Sequence, residues 1–355
     1  MKKLLFFLAA FVLLLNNGYS QGVGIPSKRG GIGFGNLSRF TGIRFNFKDK
    51  DVERINGINT TIWQTKDDSY QAGTVNGVSI GLPMAMGHDN QNGVSIGAFG
   101  VAAKKNLRGI NIGVLGAGAG EDITGLNLGG LGIGSGGDLR GITIGGLGAG
   151  AGGNVSGFNF GGLGIGAGGS LSGFSFGGLG VGSGGDVNGV NIGGVGVGAG
   201  GSLNGLSFAI VGIGAGEKVR GITIAGVGIG AGEEVKGITI AGVGVGSRKV
   251  TGLAIAGAVG GIDVKGIMIA PGYFRIGDKQ KHDDGSTEIR EGVMTGLSIS
   301  AYNHIRGEQR GVALGIVNQA TRVKGIQFGL INIVKENPKG LRVLPIFNTK
   351  FGKGS

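Results

Sequence analysis

The sequence predicts an all-β fold built from a repeated unit, and three observations carry that expectation. A glycine followed by an apolar-x-apolar triplet returns at Gly77, Gly93, Gly109, Gly125, Gly141, Gly157, Gly173, Gly189, Gly205, Gly221 and Gly237, a spacing of sixteen held without a slip. Within each unit the apolar residues alternate with period two rather than 3.6, which is the pattern of a strand. Glycine supplies 87 of the 355 residues. It is a poor helix former, and such abundance suits tight corners and closely passing backbones. Five prolines and no G-x-y period exclude collagen.

The elements follow in chain order. The opening MKKLLFFLAAFVLLLNNGYSQG reads as a signal peptide over 1–20, with Lys2 and Lys3 before an apolar run and Gly18 and Ser20 at the cleavage site. Export is therefore expected. The chain has no cysteine, which excludes disulfides, cysteine metal sites and a cysteine-borne lipid anchor. Residues 21–76 form an N-terminal capping region with imperfect repeats at Gly42 and Gly57. The regular glycine-rich repeat occupies 77–275, and a polar insertion loop, IGDKQKHDDGSTEIREG, occupies 276–292. Residues 293–355 hold C-terminal repeats at Gly296, Gly311, Gly325 and Gly340, closed by a cap containing Pro338 and Pro345.

Two architectures absorb this repeat. In a β-solenoid, or β-roll, each unit is one coil of 14–16 residues stacked on the last. In GITIAGVGIGAGEEVK the strands ITI and VGIGA are separated by a corner at Ala225 and Gly226. Val219, Ile222, Ile224, Val227, Ile229 and Ala231 are then expected to face the core. Arg220, Thr223 and the pair Glu233 and Glu234 are expected to face water. In the alternative, a closed outer-membrane β-barrel, each repeat is one spanning strand and the protein acts as a pore or export partner. Against the barrel stands an apolar residue inside each presumed turn: Leu107, Ile123, Leu139, Val155, Leu171, Val187, Leu203, Val219 and Val235. A coil corner has a core to bury it in, whereas a surface turn has not. The C-terminal segments GLSISAYNHI, GVALGIVNQA and GIQFGLINIV keep the barrel open.

Little in the sequence suggests catalysis. The many G-x-G-x-x-G matches do not open a helix after a strand, so they read as coil geometry rather than phosphate loops. His88, His282 and His304 are too scattered for a ligand set, and each is expected to be structural or superficial. No catalytic residue, metal site or cofactor is expected, nor is nucleic-acid binding in a chain without an aromatic stacking platform. Asp278, Asp283, Asp284, Glu288 and Glu291 crowd the insertion without EF-hand spacing, which marks a solvated loop and a candidate contact surface. Basic residues recur in one column at Arg108, Arg140, Arg220, Lys236, Lys265, Arg310, Lys324 and Lys339. With a formal net charge of +12, that edge could meet lipopolysaccharide phosphates or acidic glycans, while the interruptions of the column by Ser, Thr and Asn favour a plain role in solubility.

The units GVSIGAFGVAAKKNLRGINIGVLGAGAG and GVALGIVNQATRVKGIQFGLINIVKENPKG, with the ending GLRVLPIFNTKF, resemble a glycine-rich surface-repeat family of the Bacteroidota and leptospires, described by units G-Φ-Q-x-G-L-x-N. The match is closest over 311–333. Across 125–237 the family's Gln and Asn positions are mostly Gly, Thr or Ser. The resemblance implies a secreted protein of the outer membrane or cell surface of a Gram-negative bacterium, of unestablished biochemical role, and brings no catalytic residues. The sequence as a whole reads as a non-enzymatic protein with a structural or adhesive role. The periplasm is also compatible with export, and the oligomeric state is left open.

Overall fold

The computed structural model describes residues 22–63, 73–281 and 287–351. It divides into two compact units, one ending at Gly161 and the other starting at Gly162. The expected signal peptide lies outside the described residues. In the regular coils a longer strand such as Leu139–Gly145 carries the turn residue, the marker glycine and the triplet. Two residues later a short strand, Gly148–Ala151, completes the coil. In the second unit Lys218–Ala225 and Gly228–Ala231 repeat the arrangement.

Equivalent strands pair in parallel and in register. Leu139 stands between Ile123 and Val155, and Gly141 between Gly125 and Gly157. In the second unit Val219 pairs with Val235 and Gly221 with Gly237. Bacterial membrane barrels join neighbouring strands antiparallel. Parallel stacking at the repeat spacing makes the fold an all-β solenoid with coils of about sixteen residues, and removes the barrel.

The marker glycine has two reasons to be glycine. Gly221 holds φ at +115°, and a Cβ there would lie 2.1 Å from the carbonyl oxygen of Gly205 one coil earlier. Both conditions exclude a side chain. The turn residues do what the sequence demands: Leu107, Ile123, Leu139 and Val155 in the first unit, and Leu171, Val187, Leu203, Val219 and Val235 in the second, are all buried.

The triplet, however, is inverted relative to expectation. Its middle residue points inward and its flanking apolar residues point outward. Thr223 is fully buried, whereas Ile222 is 38 % and Val227 46 % exposed. Ile224 and Ala231 are only half-buried, and of the expected apolar set Val219 and Ile229 alone are in the core. The cause is strand geometry. The strand runs unbroken through the marker glycine, so alternation places Val219, Thr223 and Ala225 on one face and Arg220, Ile222 and Ile224 on the other. The interior is also narrow. A Cβ on Gly145 would approach the Gly148 carbonyl oxygen of its own coil to 2.1 Å. Only small side chains fit that end of the coil; the larger turn residue fills the opposite end.

The first unit begins with an antiparallel hairpin, Val23–Ser27 and Gly30–Phe34, whose second strand pairs in parallel with Arg39–Lys48. The second unit closes with Val343–Thr349, antiparallel to Val317–Val334. GLRVLPIFNTKF is therefore not a further coil. Gly340 sits in a 3-10 turn, Lys339–Leu341, and the chain reverses there. Within the insertion, Asp278–Lys281 and Thr287–Arg290 pair antiparallel.

Candidate functional site

Each longer strand shows three side chains to the outside: the residue before the marker glycine and the two flanks of the triplet. In Leu139–Gly145 these are Arg140, Ile142 and Ile144. Because coils stack in register, each position becomes a ladder along the sheet. In the first unit Ile110, Ile142 and Phe158 form an exposed apolar column beside Ile144 and Phe160. In the second unit Leu206, Ile222, Ile238 and Ile267 do the same beside Phe208 and Ile299. A third column lies at the corner after the triplet, with Leu115, Leu131 and Leu147 in one unit and Leu179, Val195, Val211, Val227 and Val243 in the other. These corner residues are typically half exposed, Leu147 at 50 % and Val243 at 63 %. Exposed apolar residues occur singly on most proteins, but contiguous ladders mark an interaction surface.

The polar column borders the apolar ones on the same face. Arg108 aligns through Thr124 with Arg140, Arg220 with Lys236, Lys236 through Thr251 with Lys265, and Arg310 with Lys324. Lys339 does not join them, because its segment is the 3-10 turn that ends the coils. Where these positions are asparagine they donate coil to coil, Asn92 to Asn76 and Asn76 to Asn56, each at 2.9 Å. About half of the basic residues are paired with acids: Arg140 with Asp138 and Asp122, Arg220 with Glu234, and Arg310 and Lys324 with Glu308. The hydrogen bonds from Arg310 and Lys324 hold the Glu308 carboxyl down at about 2. Arg108, Lys236 and Lys265 have no ion pair among the described residues.

The described acidic residues of the insertion do not converge. Asp278 meets Arg275 at 3.4 Å, Glu288 meets Arg290 at 3.1 Å, and Glu291 meets Arg322 at 2.7 Å. Asp283, Asp284 and His282 lie outside the described residues. No group of three or more His, Cys, Asp or Glu placed to hold a metal exists among the described residues.

The reading of the sequence missed a buried charged network in the first unit. Arg44, the middle residue of an early triplet, is fully buried. Its Nη1 donates to Asp49 Oδ1 and to Asn59 Oδ1, both at 2.8 Å. Asp49 also accepts from Asn46, Asn59 and Thr61, and lies 3.2 Å from His88 Nε2. Burial pushes the Asp49 carboxyl up, but the bond from His88, the Arg44 charge and Asn46 outweigh it and hold it far below the usual carboxylate range. The available signal was a lone arginine in a triplet position that elsewhere holds mainly Ser, Thr or Asn. A second cluster, Tyr273, Tyr302 and His304, stacks in the second unit, with the two rings of Tyr302 and His304 5.6 Å apart. Burial, then Arg306, Lys335 and Arg275, lower the His304 pKa.

No family model, curated protein or solved structure matches this chain.

Proposed function

We propose that this is a non-catalytic structural repeat protein of the bacterial surface or outer membrane, lying against an anionic lipid surface through the outer face of its longer strands. The observation that carries the reading is the adjacency, within each unit, of exposed apolar ladders and basic residues on the outer side of the longer strands. Apolar side chains gain by leaving water for acyl chains, roughly 1.5–3 kcal/mol for each Ile or Phe fully buried. Basic residues beside them add about 1 kcal/mol each at an anionic membrane surface. Arg108, Lys236 and Lys265 are the ones with charge to spare. The leader-like N-terminus and the net charge of +12 fit the same setting, with lipopolysaccharide phosphates as a further anionic contact. A solenoid suits this work because it repeats one shallow contact many times instead of building one deep pocket.

The test is sedimentation of the purified chain with vesicles of phosphatidylglycerol and of phosphatidylcholine. Binding is expected to the anionic vesicles, to weaken at high salt, and to fall at least ~10-fold when Ile142→Glu and Ile222→Glu are combined. Equal binding by wild type and variant would remove the reading. A discrete oligomer that those substitutions dissociate would assign the face to a protein contact, structural or adhesive, instead of lipid.

A further inference from the structure

We propose that a cleft beside the insertion hairpin is a binding site for a phosphate ester. The cleft has a volume of about 730 Å³ and is lined by Ser247, Arg248, Arg275, Asp278 and Arg290, with glycine backbone between them. Its origin is visible in the repeat. The spacing from Gly237 to Gly252 is one short of sixteen, and the next, to Gly266, is two short. The following coil then leaves the stack to form the hairpin, from Gly277 at φ +79°. Gly246 and Gly260, which precede Arg275 in its register column, carry no side chains to fill the strip. Shortened coils and missing side chains leave an opening, and arginines from three chain segments border it.

The chemistry of the lining selects the ligand. Arg275 reaches Asp278 through Nη2 at 3.4 Å, and Arg290 reaches Glu288 through Nε at 3.1 Å. A guanidinium has five N–H donors, so each retains donors beyond that bond. Arg248 has no ion pair among the described residues, and its charge is left over when Asp278 and Glu288 are set against Arg275 and Arg290. A second observation points the same way: Ser247 Oγ, in the lining, is buried without a hydrogen-bond partner. A buried hydroxyl lacking a partner is costly, and a small movement of the cleft wall beside Arg248 would bring it to an oxyanion that supplies an acceptor. Three arginines and a serine line one space, and their donors match the three terminal oxygens of a phosphomonoester better than the two of a carboxylate. The site stands apart from the apolar face and does not depend on its reading.

The experiment is calorimetric titration of the full chain with inorganic phosphate, with glycerol 3-phosphate, and with vesicles containing phosphatidic acid. Saturable one-to-one binding of phosphate and of the ester is expected, weakened about tenfold or more by Arg248→Ala and by Ser247→Ala. Arg140→Ala, in the other unit, should titrate like wild type, and circular dichroism confirms that each variant keeps its sheet. Measured with the Ile142→Glu, Ile222→Glu variant, which lacks the apolar contact, tighter binding of the phosphatidic acid vesicles than of glycerol 3-phosphate identifies a lipid headgroup as the source; equal or weaker binding identifies a free ester. Absence of saturable phosphate binding overturns the proposal, as does an Arg248→Ala variant indistinguishable from wild type. The Ile142→Glu, Ile222→Glu variant separates the two readings, since it should lose phosphatidylglycerol binding and keep phosphate binding.

Discussion

The same position of the repeat is handled in two ways. Near the start of the first unit the middle of the triplet is Arg44, a fully buried charge engaged by Asp49, Asn36 and Asn59. In three regular coils of the second unit it is Ser175, Ser207 and Thr223, buried just as deeply, with the hydroxyl left without a partner. The first arrangement concentrates strong, mutually dependent interactions in one place. The second spreads a small penalty over many coils and leaves cohesion to the parallel backbone ladder and the buried turn residues. A buried ion pair is fragile when halved. A neutral hydroxyl in a stack of identical coils is not.

The largest effect should come from halving the ion pair. Asp49→Ala leaves the Arg44 guanidinium buried without its countercharge and is expected to cost about 3–5 kcal/mol. Hydrogen exchange across residues 36–63 should show the loss of protection, alongside a lower urea midpoint. A variant as protected as wild type would mean that Asn36, Asn59 and the Gly35 carbonyl satisfy Arg44 without a countercharge.

In the regular coils the weak point is backbone rather than side chain. Gly221→Ala must hold a positive φ and admit a Cβ 2.1 Å from the Gly205 carbonyl oxygen. Strain and overpacking together make about 2–4 kcal/mol a reasonable expectation, read from the urea midpoint. A loss below ~1 kcal/mol would show that the coils shift freely along the stack.

These contrasts explain what could be read from the sequence. The period of sixteen, the marker glycines and the buried Leu107 or Val219 are local demands, written in residue identity. The direction of the triplet was open to the same reasoning, because alternation from Val219 through an unbroken strand puts Thr223 inside. Side-chain size supports it: the middle residue is mostly short, whereas the flanks range from Val190 to Phe158 and Phe176, a tolerance that suits an outer surface. Taking apolar to mean inward overrode that evidence. The Arg44 network and the arginine cleft were beyond reach, since each joins residues whose proximity depends on how particular coils lengthen, shorten or leave the stack. The end of the repeat was similarly hidden. Gly340 resembles a marker glycine, and only the reversal into Val343–Thr349 shows otherwise.

Acid should expose the two regions in sequence. His304, in the second unit, has a pKa lowered from 6.5, so the unfolded chain binds the proton more readily. Its contribution is present above pH 6.5 and is lost as pH falls through the folded value. Asp49 has a pKa lowered from 3.8, so its contribution is whole above that pH and is lost only in stronger acid. Glu308 adds a small, solvent-screened step of the same sign between 4.5 and about 2. Exchange at pH 7 and pH 5 should therefore show loosening around Tyr273, Tyr302 and His304, and His304→Gln should flatten that change. Persistence of the pH step in that variant would assign it to another group.

The smallest effect tests the inverted triplet directly. Thr223→Val keeps the shape of the side chain and exchanges an unpartnered buried hydroxyl for a methyl group. If the position faces the interior, removing that hydroxyl should stabilise the fold by up to about 1 kcal/mol, seen as a raised urea midpoint with an unchanged slope. The paired change Ile222→Thr on the outer side should cost no more than about 1 kcal/mol, because the side chain is partly exposed and only part of its apolar area is covered. The opposite ordering, with Ile222→Thr costly and Thr223→Val neutral, would restore the apolar-inward coil. It would also dissolve the outer apolar ladder on which the lipid reading depends, so this modest pair of variants bears on architecture and function together.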